Sequence, residues 1–303
     1  SLDGGFGGAG TAMAYDLSSP TQNSVVMDWD NEMFLSGIGN YDGISGPAGV
    51  DGITPAGFSS MFTYAETTNA FTAVTGTNTA LAVAKGYQIM MADDEANSVW
   101  DAKTIDSRGL PNYGDITLSG LTRTTGQGLG WHLVGNPYAS AIDYALTTKT
   151  NVNNIVYFTD QGNYSNWALT FGDLVLPAHQ GFYLEASSGS LGGRSVKFTE
   201  SCKVSDHTTF YHRKKPVYDI KLVLSSALTP YAHENHIIFD SNAKPGFDED
   251  LDASYRKFPA AIAPAIYMKD NVADRGIITN YMDTKSEEVT IPLEIFTPKT
   301  GVY

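Results

Sequence analysis

Trp131-His132-Leu133-Val134-Gly135-Asn136-Pro137-Tyr138 reads as a short buried strand that runs straight into a tight turn. The apolar and aromatic residues at its start suit a pleated, packed surface. Gly-Asn-Pro then ends the strand, because glycine and asparagine accept unusual backbone angles and proline fixes φ and lacks an N–H. The same grammar recurs on both sides. Residues 61–64 and 71–74 are aromatic strands joined over Glu66 to Asn69 as a hairpin. Residues 81–84 are a short apolar step to Lys85-Gly86, and 87–91 and 116–118 continue the series of strands, with glycine, asparagine and aspartate between runs. The pattern predicts an all-β fold, an antiparallel β-sandwich. Residues 141–147 are the only helical candidate in this part and are too short to alter the class.

The chain has 303 residues, with 42% hydrophobic and 17% charged, so it can bury a core of about two or three domains. The formal net charge is −14, which argues against nucleic acid or an anionic membrane surface as partner, since both require a basic face. Residues 1–120 carry 14 acids against 3 bases, whereas residues 121–213 carry 6 of each. The single cysteine, Cys202, excludes an intrachain disulfide and reads as a buried strand residue. No run of apolar residues is long enough for a transmembrane helix. No basic and apolar leader stands at Ser1, so for an exported protein a signal peptide is expected to be gone already. Residues 301–303 look like the start of another strand cut short.

An internal repeat organises the first two thirds. Leu35-Ser36-Gly37 corresponds to Leu133-Val134-Gly135; Tyr64, Glu66 and Asn69 to Phe158, Asp160 and Asn163; and Leu81, Gly86 and Tyr87 to Leu176, Gly181 and Phe182. In each copy an aromatic hairpin leads, through a glycine that permits close approach, to an aromatic strand entering the core. The expected organisation is an extended Gly-rich segment (1–24), a first β repeat (25–120), a second (121–213), and a separate C-terminal β-sandwich (214–303) opened by Lys214-Lys215-Pro216. In that last block residues 218–224 alternate, with Ile220, Leu222 and Leu224 on one face. Further strands are expected at 236–239, 265–268, 276–279 and 289–296.

Residues 131–143, Val156-Tyr157-Phe158 with Gly162-Asn163-Tyr164, Leu176-Pro177-Ala178-His179-Gln180-Gly181-Phe182-Tyr183-Leu184, Val196-Lys197-Phe198-Thr199, and Gly246-Phe247-Asp248 with Asp252-Ala253 follow one another in a familiar order. In this the chain resembles, over roughly residues 60–303, a recurrent module of large secreted proteins of Bacteroidota that often end in a type IX secretion sorting domain. Ala139, where proline is commoner, and His179 depart from the pattern. The resemblance implies export, display on the outer surface of a Gram-negative cell, and more chain after Tyr303. It implies no catalytic residues.

Two groups of residues are candidates for binding. Asp248, Asp250 and Asp252 stand at i, i+2 and i+4, a spacing at which three carboxylates can converge on a hard cation such as calcium. The loop is not an EF-hand, because Ala253 and Pro259 stand where glycine and glutamate are needed. The competing reading is a solvated acidic loop beside Arg256 and Lys257. Asp28, Asp30 and Glu32 form a weaker version. Tyr138, Tyr164 and Trp167 lie on or beside turns, where aromatic rings can stack on sugars or fill a core. His233-Glu234-Asn235-His236 places its histidines three apart, not four, which is not a zinc-protease motif. No Gly-x-Ser-x-Gly elbow and no phosphate loop is present.

The functional expectation is a non-catalytic exported module with an adhesive or extracellular structural role. Its expected partners are an extracellular glycan, a protein or a second copy of itself. No cofactor is expected beyond calcium at the Asp248 loop. The alternative is a carbohydrate-binding accessory region of a secreted polysaccharide-degrading protein.

Overall fold

The computed structural model describes residues 2–3, 12–16, 61–74, 80–89, 104–108, 110–159, 167–169, 175–188, 192–205, 219–228, 232–256, 264–270, 275–283, 289–297 and 300. The N-terminal part supplies β1 (Leu2–Asp3), β2 (Ala12–Asp16), β3 (Met61–Ala65), β4 (Ala70–Ala73), β5 (Tyr87–Ile89) and β6 (Thr104–Arg108). The central part supplies β7 (Ile116–Ser119), β8 (Trp131–Gly135), β9 (Ala141–Asp143), β10 (Thr148–Thr150) and β11 (Val152–Thr159). It continues with β12 (Trp167–Leu169), β13 (Val175–Leu176), β14 (Gly181–Ala186), β15 (Ser195–Phe198) and β16 (Lys203–Val204). The C-terminal part supplies β17 (Asp219–Leu224), β18 (His233–Phe239), β19 (Ala253–Ser254), β20 (Ala265–Lys269), β21 (Gly276–Met282) and β22 (Leu293–Phe296). The chain is all-β, and the described residues contain no α-helix. The helical candidate at 141–147 is instead β9 followed by one 3-10 turn, Tyr144–Leu146, capped by the Asp143 carboxylate, which accepts from the Ala145 amide.

The centre of the molecule is the sheet β12-β11-β14-β8. All six residues of β14 are buried, which marks a sheet covered on both faces. On one face Val134, Val156, Phe182 and Leu184 meet Ile142, Leu176, Val196 and Phe198 of the sheets β13-β9-β16 and β10-β15-β7. On the other face Trp131, Leu133, Ile155, Tyr157 and Tyr183 meet Ala253 and Ile278 of the C-terminal sheet, with Tyr64 and Phe71 of the first hairpin packed alongside. The result is a layered β architecture, and the C-terminal block shares a core with the central sheet. The expected junction at 214–216 lies outside the described residues.

The hairpin β3/β4 forms as expected, and Asn69 takes the left-handed conformation that its turn requires (φ 49°). Gly86 bonds to the β8 backbone, its N–H donating to the Leu133 carbonyl (3.2 Å). A Cβ there would lie 2.7 Å from the Val134 carbonyl oxygen, so only glycine allows this contact. The order β4-β3-β5 matches β12-β11-β14. The register matches too: Met61 pairs Ile89 and Phe62 pairs Gln88, as Val156 pairs Leu184 and Tyr157 pairs Tyr183, each position shifted by 95 (156 − 61, 184 − 89). Residues 25–57, including Leu35 to Gly37, are outside the described residues.

The C-terminal sheet runs β17-β18-β21-β20-β22, with β19 on β21. Ile220, Leu222 and Leu224 do share one face, paired to Ile237, Asn235 and His233. The antiparallel expectation fails at three pairs: β1 with β5, β2 with β6, and, in this sheet, β18 with β21, where the chain crosses through β19 and β20 between the two strands. Cys202 is buried as expected, in a 3-10 turn rather than a strand.

Candidate functional site

A sheet buried on both faces has no wet side for a charge. Glu185 on β14 is nevertheless only 1% exposed, on the face shared with Tyr157 and Tyr183. Its carboxylate is met from three directions. Arg123 donates to Oε1 (2.7 Å), while the Ser254 hydroxyl (2.6 Å) and Asn153 Nδ2 (3.0 Å) donate to Oε2. Arg275 Nε approaches Oε1 to 3.9 Å. Tyr157 closes the group by accepting from the Ser254 amide (3.0 Å). The junction therefore ties the 120–130 loop, the central sheet and the C-terminal sheet at one point.

Two further polar fasteners join distant segments. The Arg256 guanidinium is buried between the rings of Tyr64 (4.3 Å) and Tyr183 (4.1 Å), where each aromatic face favours the cation. It links the C-terminal block to the first hairpin. Glu66 reaches from the 3-10 turn Glu66–Thr68 into the 122–130 loop. Its Oε1 accepts from the amides of Thr124 (2.6 Å) and Gly130 (3.0 Å), and its Oε2 from the hydroxyls of Thr122 (2.5 Å) and Thr124 (2.9 Å).

Burial alone would raise the Glu66 pKa, but these hydrogen bonds outweigh it and hold the carboxyl below its ordinary range. A depressed carboxyl adds stability above the unfolded pKa of about 4.5 that is lost as pH falls through the folded value. Glu66→Gln is expected to lower stability by about 1–3 kcal/mol at neutral pH, since an amide cannot accept at both positions. Urea midpoints measured from neutral to acid pH should show the variant gap closing on acidification; a constant gap would refute the clamp.

The sequence-named aromatics divide. Tyr138 has no exposed surface; its hydroxyl donates to the Gly114 carbonyl (2.7 Å), and burial pushes its pKa up to about 12. Tyr164 lies outside the described residues, and Trp167 begins β12. The structure adds a residue that sequence reading missed. Tyr113 is 82% exposed, at the tip of a loop fixed from below. Asn112 Nδ2 donates to the Pro137 carbonyl (2.8 Å), the Gly114 amide donates to Glu200 (2.5 Å), and Tyr138 holds the Gly114 carbonyl. Pro111-Asn112-Tyr113-Gly114 is a turn signal, but only these remote bonds show that the ring is held outward.

Two of the three aspartates, Asp248 and Asp250, meet at Lys244 Nζ (3.4 and 2.8 Å), whereas Asp252 is taken up by backbone amides. Asp248 and Asp252 are buried, while Asp250 is exposed and bound by Lys244 (2.8 Å) and by Asn154. Asp248 Oδ1 accepts from the Asp250 amide (3.0 Å), and Asp252 accepts from the amides of Asp248 (2.8 Å) and Tyr281 (2.6 Å). This is a reciprocally capped turn fastened to β21. Burial pushes the Asp252 pKa up to about 7, against the pull of those two amides. Among the described residues no group of three or more His, Cys, Asp or Glu is placed to hold a metal ion. Asp28, Asp30 and Glu32 lie outside them. His233 and His236 face opposite sides of β18: His233 Nδ1 accepts from the Ile266 amide (3.2 Å), and His236 Nδ1 lies 2.8 Å from Asp219.

With an all-β class established, the comparisons add one family. A family model described as "Domain of unknown function (DUF8693)" matches residues 47–171, which run from before β3 past β12. The match crosses the expected boundary between the two repeats at 120/121. No curated protein and no solved structure matches the chain. No helix among the described residues is long and apolar enough to cross a membrane.

Proposed function

We propose that this chain is a non-catalytic, exported cell-surface module with an adhesive or extracellular structural role. The observation that carries the reading is the use made of its interior charges: Glu66, Glu185, Arg256 and Asp252 each fasten one layer or segment to another. Such fasteners hold a β stack in one geometry, as a spacer or display unit requires. Support for export comes from the resemblance of residues 131–143 and 176–184 to secreted surface modules. The matched register of β3/β5 and β11/β14 supports a duplicated unit within it. Protease accessibility on intact cells of the producing organism tests the location: cleavage only after lysis would overturn it. Turnover on a panel of polysaccharides and peptides would overturn the non-catalytic assignment.

A carbohydrate-binding role is the second reading, favoured by the pinned display of Tyr113. An exposed, fixed aromatic ring stacks on a sugar with little ordering cost. On a glycan array, Tyr113→Ala is expected to abolish binding, with Tyr164→Ala and Trp167→Ala weakening it. An array with no binding, or binding indifferent to all three changes, sinks this reading.

A further inference from the structure

Among the described residues, six of the ten large hydrophobics that are exposed belong to or flank β17 and β22: Ile220 (48%), Val223 (50%), Leu228, Val289, Leu293 (44%) and Ile295 (60%). Among the described residues these are the two outermost strands of the C-terminal sheet, so apolar surface is concentrated at its two edges.

The backbone of β22 is set for further pairing. The Lys269 amide donates to the Pro292 carbonyl (3.0 Å), in register with Met268↔Leu293. Hydrogen-bonded and non-bonded pairs alternate in an antiparallel ladder, so the N–H and C=O groups of Leu293 and Ile295 point away from β20 to the open side. The N of Pro292 faces β20, where its missing N–H does not obstruct the open edge.

The direction of the strands makes the edges complementary. Along β17, β18, β21, β20 and β22 the pairings are antiparallel, parallel, antiparallel and antiparallel. β22 therefore runs opposite to β17. A second copy added by translation along the sheet brings its β17 antiparallel to β22, the commoner kind of pairing.

We propose that the C-terminal sheet continues from copy to copy, β22 of one molecule pairing with β17 of the next. One register matches the side chains of both strands. Ile295 faces Ile220 of the second copy, and Leu293 faces its Leu222, on the face that also carries Met268. On the other face Glu294 meets Lys221 of the second copy. Within one molecule Lys269 already binds Glu294 (2.8 Å), and Lys221 binds Glu234 (2.7 Å). The junction would extend these pairs into a row of alternating sign: Lys269, Glu294, then Lys221 and Glu234 of the neighbour. Opposite charges and branched apolar residues across a strand pair both favour it. Two different edges meet, so the contact is heterologous and grows without closing. One strand pair buries less than a standard interface, so association is weak and rises with concentration, as on a crowded surface.

This names the partner for the structural role proposed above and rests on that reading. The test reads association alone, whereas protease accessibility reads location alone. Sedimentation velocity over a concentration series should show the wild type forming progressively longer species. Ile220→Lys and Ile295→Lys should each be monomeric, with unchanged circular dichroism because both positions are exposed. Mixed one to one, the two variants should form a dimer and nothing longer, since each retains one good edge. A wild type monomeric throughout, either variant still self-associating, or a mixture that stays monomeric overturns the pairing.

Discussion

Glu185→Ala is expected to destabilise the protein by about 3–5 kcal/mol, the range for removing one partner of a buried ion pair. The physical cause is the residue left behind. Arg123 is 12% exposed at its side chain and Arg275 is 5% exposed, so neither cation regains water when the carboxylate goes. Ser254 and Asn153 lose their acceptor as well. Glu185→Gln keeps the shape and one acceptor but turns an amide towards a guanidinium, and should fall between the alanine variant and the wild type. Urea denaturation with a constant m-value checks the order; a midpoint within error of wild type for Glu185→Ala would rule out the junction as an inter-layer fastener.

The second large effect is expected at Asn136. Its side chain is buried (2% exposed) and fully used. Nδ2 donates to the carbonyls of Ser140 (2.9 Å), Pro177 (2.8 Å) and Leu176 (3.3 Å), while Oδ1 accepts from the Tyr138 amide (3.0 Å). Asn136→Ala removes these hydrogen bonds, although the Pro177 carbonyl keeps the Gln180 amide (3.2 Å), and should cost about 2–4 kcal/mol, taking about 1–3 kcal/mol for each buried group orphaned. Asn136→Asp is the sharper probe. It preserves volume but aims a carboxylate at three carbonyl oxygens. At neutral pH it should be at least as damaging as alanine. Its carboxyl pKa would be raised in the folded state, so the damage should ease as pH falls and the group protonates. An aspartate variant as stable as wild type at neutral pH would show that Asn136 serves only the turn.

These two residues also mark how far the sequence could be read. Gly135-Asn136-Pro137 was legible as a turn, because turn chemistry is local. That the asparagine side chain clamps the 176–177 segment was not, since its acceptors lie 40 and 41 residues away. Glu185 sits inside an apolar strand and carried no warning, because its partners come from 62 and 69 residues away. Tyr138 stood out as an aromatic beside a turn; the fold buries it and makes it the support for Tyr113. The aspartates at 248, 250 and 252 show the limit of spacing arguments. Alternation puts carboxylates on one side only in an extended chain, and here residues 248–252 form a helical turn, with the Asp252 amide donating to the Asp248 carbonyl (2.7 Å).

What the sequence alone determined was the β class, the position of most strands, the hairpin across 61–73 and the need for glycine at 86. Each follows from side-chain periodicity, from β-branched and aromatic content, or from a backbone angle or close approach that few residues accept. What only the tertiary structure decided was which face each described strand buries, the two-sided burial of β14, the parallel pairing of β18 with β21, and the partners of Glu66, Glu185 and Arg256. Those outcomes depend on segments far apart in the chain coming together, and a buried charge is defined by its partner rather than by its neighbours in sequence.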